Sequence, residues 1–184
     1  MNLTKINIKK LVEGRKTYPT WTTNSSYIIK TQDIGNNILV YYITKSNRKI
    51  SRVFPNEINL TPKLSYVLGL IKGEGSTSLG KSNYRRFTLT NSNPRIINLI
   101  FKELDKNNLF KKSDLINKSV HLLHYIKSKD EVIDYWSKKL NLSKNKFKCF
   151  DDKTKTSLFG VCHVYISDVL LRRVIDIIHD EFFK

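Results

Sequence analysis

At 184 residues the chain is long enough for one main core with a small appended module, and its 33 Lys and Arg outnumber 16 Asp and Glu to give a formal net charge of +17. That excess points to a polyanionic partner, because cations that neutralise phosphates release condensed counterions; a coding bias that raises Lys, Asn and Ile together is the other source of such a composition. Cys149 and Cys162 are too few for a disulfide framework, no apolar run reaches the roughly 20 residues that span a bilayer, and the N-terminus has no signal-peptide core, so a soluble cytoplasmic protein with no membrane partner is expected.

Residues 1–60 are rich in Thr, Asn, Ser and Lys and read as a basic accessory module. A helix is expected near residues 4–13, then β-leaning runs at Tyr27–Ile29, Ile38–Thr44 and Lys49–Phe54. Lys45-Ser46-Asn47-Arg48 between the last two predicts a hairpin. Thr61-Pro62 is a helix start, and Leu64, Val67, Leu68, Leu70 and Ile71 carry the helix to Gly75. Strands are expected at Ser76–Leu79 and Tyr84–Thr90, joined by Gly80-Lys81-Ser82-Asn83. In the second, Phe87 and Leu89 alternate with Tyr84, Arg86, Thr88 and Thr90, so one face is apolar and the other is left for a polar ligand.

Asn93-Pro94 opens the next helix, with Ile97, Ile100, Phe101 and Leu104 at helical spacing. A third strand is placed at Val120–Ile126. Ser128 and Glu131 form a capping box for a helix with Val132, Ile133, Trp136 and Leu140 as its buried stripe. After a lysine-rich connector, Gly160–Ile166 reads as a fourth strand, and Ser167 caps a last helix carrying Leu170, Val174, Ile177 and Ile178. The order from residue 61 to 184, α-β-β-α-β-α-β-α, is an α+β sandwich of one sheet backed by helices.

The segment Val67-Leu68-Gly69-Leu70-Ile71-Lys72-Gly73-Glu74-Gly75 holds glycines where a helix ordinarily avoids them, at about 1 kcal/mol each relative to alanine. Gly69 and Gly73 share one face, which permits close approach of a second helix. Gly75 terminates the helix and leaves the Glu74 carboxylate at its tip, where it can hold a divalent ion beside a phosphate. His121 and His124, three apart in a strand, point to opposite faces, which argues against zinc binding with His163 or His179. Trp21 and Trp136 read as packing residues. Lys144, Lys146 and Lys148 are either a solvated loop or a group that contacts phosphate and stabilises charge near a cut site.

The segment resembles the motif that names the LAGLIDADG homing endonucleases: Gly69 matches its third position, Leu70 and Ile71 the fourth and fifth, Gly73 the small seventh, Glu74 the acidic eighth and Gly75 the last glycine. The resemblance extends over roughly residues 62–183, whose elements fit the family plan α-β-β-α-β-β-α with an insertion at residues 129–158. Lys72 departs from the motif, which often has an acid there. The resemblance implies a site-specific, metal-dependent endonuclease with no small-molecule substrate. In it, Glu74 and the carbonyl of Gly73 bind Mg²⁺, or Mn²⁺, and Thr90 and Asn91 lie beside the active site. Catalytic roles then fall to Glu74, Asn91, Lys144 and Lys146. One motif per chain supplies half an active site, which implies a homodimer packed through Gly69 and Gly73 on a roughly palindromic double-stranded DNA target. Ser78, Lys81, Tyr84, Arg86, Thr88 and Thr90 would contact that DNA. A non-cleaving DNA-binding regulator and an RNA splicing factor (maturase) of the same fold are the alternatives.

Overall fold

A computed structural model of the chain describes residues 4–18, 26–74, 87–151 and 154–183, with Glu74 described by its backbone alone. In chain order the first elements are β1 (Thr4–Asn7), α1 (Ile8–Val12), β2 (Lys16–Thr17), β3 (Tyr27–Ile28), β4 (Lys30–Ile34), β5 (Asn37–Ile43), β6 (Lys49–Pro55) and β7 (Glu57–Leu60). There follow α2 (Pro62–Glu74), β8 (Phe87–Asn91), α3 (Pro94–Lys106), β9 (Val120–Leu123), α4 (Lys129–Leu140), β10 (Phe147–Cys149), β11 (Val161–Ile166) and α5 (Val169–Phe182). The molecule is mixed α+β. Among the described residues no helix is long and apolar enough to cross a membrane.

Local chemistry sets most boundaries. The Thr61 hydroxyl accepts from the Leu64 amide at 3.1 Å, and Pro62 occupies the first helical position of α2. Asn93 caps α3 by accepting from Arg95 N at 3.0 Å. Ser128 and Glu131 cap α4 reciprocally, and α4 ends on Asn141 in the left-handed region, φ 51°. The β5–β6 hairpin turns through Asn47 at φ 58°, with the Arg48 amide donating to the Thr44 hydroxyl at 3.0 Å.

Four expectations need correction. Residues 4–13 do not form one helix: β1 pairs antiparallel with β7, Ile6 opposite Ile58, and the Asn7 side chain starts α1 by accepting from Lys10 N. The third strand stops at Leu123, since His124 turns to φ 58°. Within the lysine-rich connector lies β10, parallel to β9. The cap of α5 is Asp168, not Ser167, because its carboxylate reaches the Leu171 amide at 2.8 Å.

The buried residues form one continuous cluster that runs from Ile38, Val40 and Phe54 in the β4-β5-β6 sheet to Val174 and Ile178 on α5. Arg52 of β6 joins the two parts. Its guanidinium pairs with Asp168 at the head of α5, donates to the Leu109 carbonyl at 2.6 Å and lies 3.8 Å from Asp114. Further along α5, Arg173 Nε donates to the Lys16 carbonyl at 2.8 Å and Glu181 accepts from Arg15 at 2.6 Å. Among the described residues of this first part, α1, β2 and β6 are therefore docked along α5, which is the spine shared by both halves.

Candidate nucleic-acid interface

The main sheet has four strands in the order β10-β9-β11-β8, with β11 antiparallel to both neighbours. Alternation along these strands separates two faces. Phe87, Leu89, Val120, Leu122, Phe147, Val164 and Ile166 are buried on the face toward the helices, where α2 and α3 meet β8 and α4 meets β10. The other face carries Thr88, Thr90, His163, Tyr165, His121, Leu123 and Lys148.

That second face is aromatic and polar, with one ammonium, Lys148. His163 is the register partner of both Thr90 and His121, and its Nδ1 lies 3.0 Å from the Thr90 hydroxyl. The His121 ring stands 4.4 Å from Tyr165 and 4.7 Å from Phe150, and the Lys148 ammonium sits 4.5 Å above the Phe150 ring. None of the four strands contains an acid. Half-exposed rings, imidazoles and an ammonium with no carboxylate among them suit a polyanion that also presents flat or hydrogen-bonding edges. His163 and Tyr165 were not foreseen as site residues, whereas Lys148 was expected as a possible phosphate contact. The signal was present in Val161–Ile166, where Cys162, Val164 and Ile166 alternate with His163 and Tyr165.

Burial and its histidine neighbours hold the His163 imidazole below its usual pKa: desolvation is the largest cause, followed by His124 and His121. The unfolded chain therefore takes up the proton before the folded one does. Stability from this group is fully present above about pH 6.5 and is lost as pH falls from there through the folded value. Thermal melts between about pH 7.5 and 5 should show a smaller fall for His163→Gln than for the natural chain. Parallel melting curves for the two proteins would remove His163 as the source.

Helix α2 packs on α3, β8 and α5 through Leu64, Val67, Leu68 and Ile71, all buried. Its opposite side is Tyr66, Gly69 and Gly73, all exposed, and a Cβ built on either glycine meets no described atom within 4 Å. These glycines are thus not required by packing among the described residues. Lys72, on the flank, donates to Asp176 of α5 at 2.9 Å. Gly73 and Glu74 are the last described residues of α2.

The remaining expected site residues fall into three groups. Ser78, Lys81, Tyr84 and Arg86, with the strand expected at Ser76–Leu79, lie outside the described residues. Thr90 and Asn91 close β8, and Asn91 Oδ1 accepts from Asn93 N at 2.8 Å, feeding the chain into α3. Thr88 is on the expected face yet only 7% exposed, beside its register partner Tyr165, so its hydroxyl is not presented to a ligand. Lys144 and Lys146 occupy a single 3-10 turn before β10. Lys144 pairs with Asp134 at 2.5 Å, which raises its pKa, and Lys146 donates to the Leu115 carbonyl. They sit at the β10 edge, three strand spacings or about 14 Å from β8. The sheet thus sets both lysines at the edge opposite β8.

Among the described residues no group of three His, Cys, Asp or Glu is arranged to hold a metal ion. Compared with protein-family models, with curated proteins and with solved structures, the chain matches none.

Proposed function

We propose that the protein is a homodimeric, metal-dependent endonuclease of the LAGLIDADG type that cuts a roughly palindromic site in double-stranded DNA. The observation that carries this reading is the open stripe of Tyr66, Gly69 and Gly73 on α2, which leads to Glu74 at the helix end. Glycine is costly inside a helix, and these two fill no tight space among the described residues. A second copy of α2 crossing at the stripe accounts for both, and two-fold symmetry then sets the two Glu74 residues side by side.

The donor set fits Mg²⁺ or Mn²⁺: a carboxylate from Glu74 and the backbone carbonyl of Gly73 would be hard oxygen ligands, with water and phosphate oxygens completing the shell. When bound, such an ion lowers the pKa of attacking water and stabilises the leaving oxygen. The chain's own residues have separate tasks. Glu74 supplies the negative charge that would hold the ion. Lys72 is paired with Asp176 of α5, so its charge is partly offset. The Lys148 ammonium beside the hydrogen-bonding His163 and His121 rings, within a chain of net charge +17, supports docking on phosphate.

Gly69→Leu tests the interface. The side chain enters space left open by the described residues, so the variant is expected to stay folded, with a cooperative melt, while light scattering shows a monomer. Cleavage of a plasmid library in Mg²⁺ should disappear with the dimer. A folded Gly69→Leu protein that keeps the dimer mass places the interface elsewhere. The same fold acting without cleavage, as a DNA-binding regulator or RNA splicing factor, is distinguished by wild-type protein that binds the library and cuts no member of it.

A further inference from the structure

We infer that the outer face of the β4-β5-β6 sheet is a second nucleic-acid site, one that takes an unpaired, single-stranded segment. Ile34, Ile43 and Val53 are 45%, 42% and 49% exposed, and strand alternation and register put all three on this one face with half-exposed Leu39 and Tyr41. Contiguous apolar side chains on a sheet surface mark a contact that excludes water.

Charge selects the occupant. Lys30 is the register partner of Tyr41, and the Lys49 ammonium lies 4.2 Å from the Tyr41 ring centroid. The hairpin turn beside them adds Lys45 and Arg48. The three strands contain one acid, Asp33, which alternation turns to the opposite face, where Lys9 pairs with it at 2.6 Å. A second copy of the chain would bring a like-charged face against this one, so self-association is disfavoured. A duplex keeps its bases stacked inside and offers sugar and phosphate, which leaves the aliphatic patch unmatched. An unpaired strand offers both parts: base faces that pack on Tyr41 and the aliphatic side chains, and phosphates within reach of Lys30 and Lys49.

This site is separate from α2 and Glu74, so its test is independent of cleavage. Binding of a labelled oligothymidylate and of its duplex with oligoadenylate is measured by anisotropy on the full chain in the absence of divalent ions. Tyr41→Ala is expected to weaken single-strand binding about tenfold, with duplex binding changed less than about twofold. Val53→Glu, which sets an acid in the patch, should do the same if its thermal melt matches the natural chain. Equal losses on strand and duplex would overturn the proposal in favour of a duplex contact. Unchanged binding of both by both variants would overturn it in favour of an acidic protein surface.

Discussion

Glu74→Gln is expected to reduce DNA cleavage by about a thousandfold or more while leaving duplex binding intact or slightly tighter. The amide has the size and shape of the carboxylate and loses only the charge. In the proposed mechanism that charge, with the backbone carbonyl of Gly73, is what holds the divalent cation. Removing it withdraws the strongest ligand and also relieves repulsion with phosphate, so activity and affinity move in opposite directions. A structural role would act differently, lowering the melting temperature along with every activity. The measurement is cutting of a plasmid library in Mg²⁺ by both proteins, with a gel shift and a thermal melt alongside. Wild-type-level cutting by the folded variant would sink the mechanism.

Gly160→Ala carries the largest expected cost to stability. Gly160 sits at φ +74° just ahead of β11, and a Cβ there would stand 2.2 Å from the Leu123 carbonyl oxygen and 2.9 Å from Tyr125 Cβ. The first is backbone at the end of β9, so neither neighbour is a flexible tip that swings aside. The left-handed conformation alone costs an L-residue about 1–2 kcal/mol, and separating β9 from the start of β11 brings the total to roughly 3 kcal/mol or more. The adjoining Phe159 carbonyl accepts from Trp136 Nε1 at 2.7 Å, and the Phe159 ring stacks on Tyr135 at 3.9 Å, so the displacement reaches α4. A fall in melting temperature of about 10 °C is expected, with weaker DNA binding because His163 and Tyr165 ride on β11. An alanine variant that melts with the natural chain would mean that the Gly160 turn relaxes freely.

Helix starts were legible in the chain because they are decided within four residues. Thr61-Pro62, Asn93-Pro94 and Ser128 with Glu131 each hold a side-chain oxygen and the amide it caps, and each begins a helix where expected. The Lys45–Arg48 turn and the buried stripes of α3 and α5 are equally local. Strands whose identity depends on a distant partner were harder. Lys30–Ile34 is mostly polar and becomes β4 only through its ladder with β5, and Phe147–Cys149 becomes β10 only because β9 offers a parallel edge.

The site divides along the same line. Composition, the Gly69 and Gly73 spacing and the acid at position 74 belong to the chain itself, because they depend on residue type and helical period alone. Whether those glycines face the core, a neighbour or open space is a property of what the rest of the chain packs against, and the described fold leaves them open. Likewise His121 and His163, 42 residues apart in sequence, become cross-strand neighbours only when β9 pairs with β11, while Lys144 and Lys146 are drawn to Asp134 and Leu115 at the edge far from β8. Local hydrogen bonding and periodicity determine where elements begin and which face is apolar; pairing across long loops, which no short window contains, decided which polar groups share a surface.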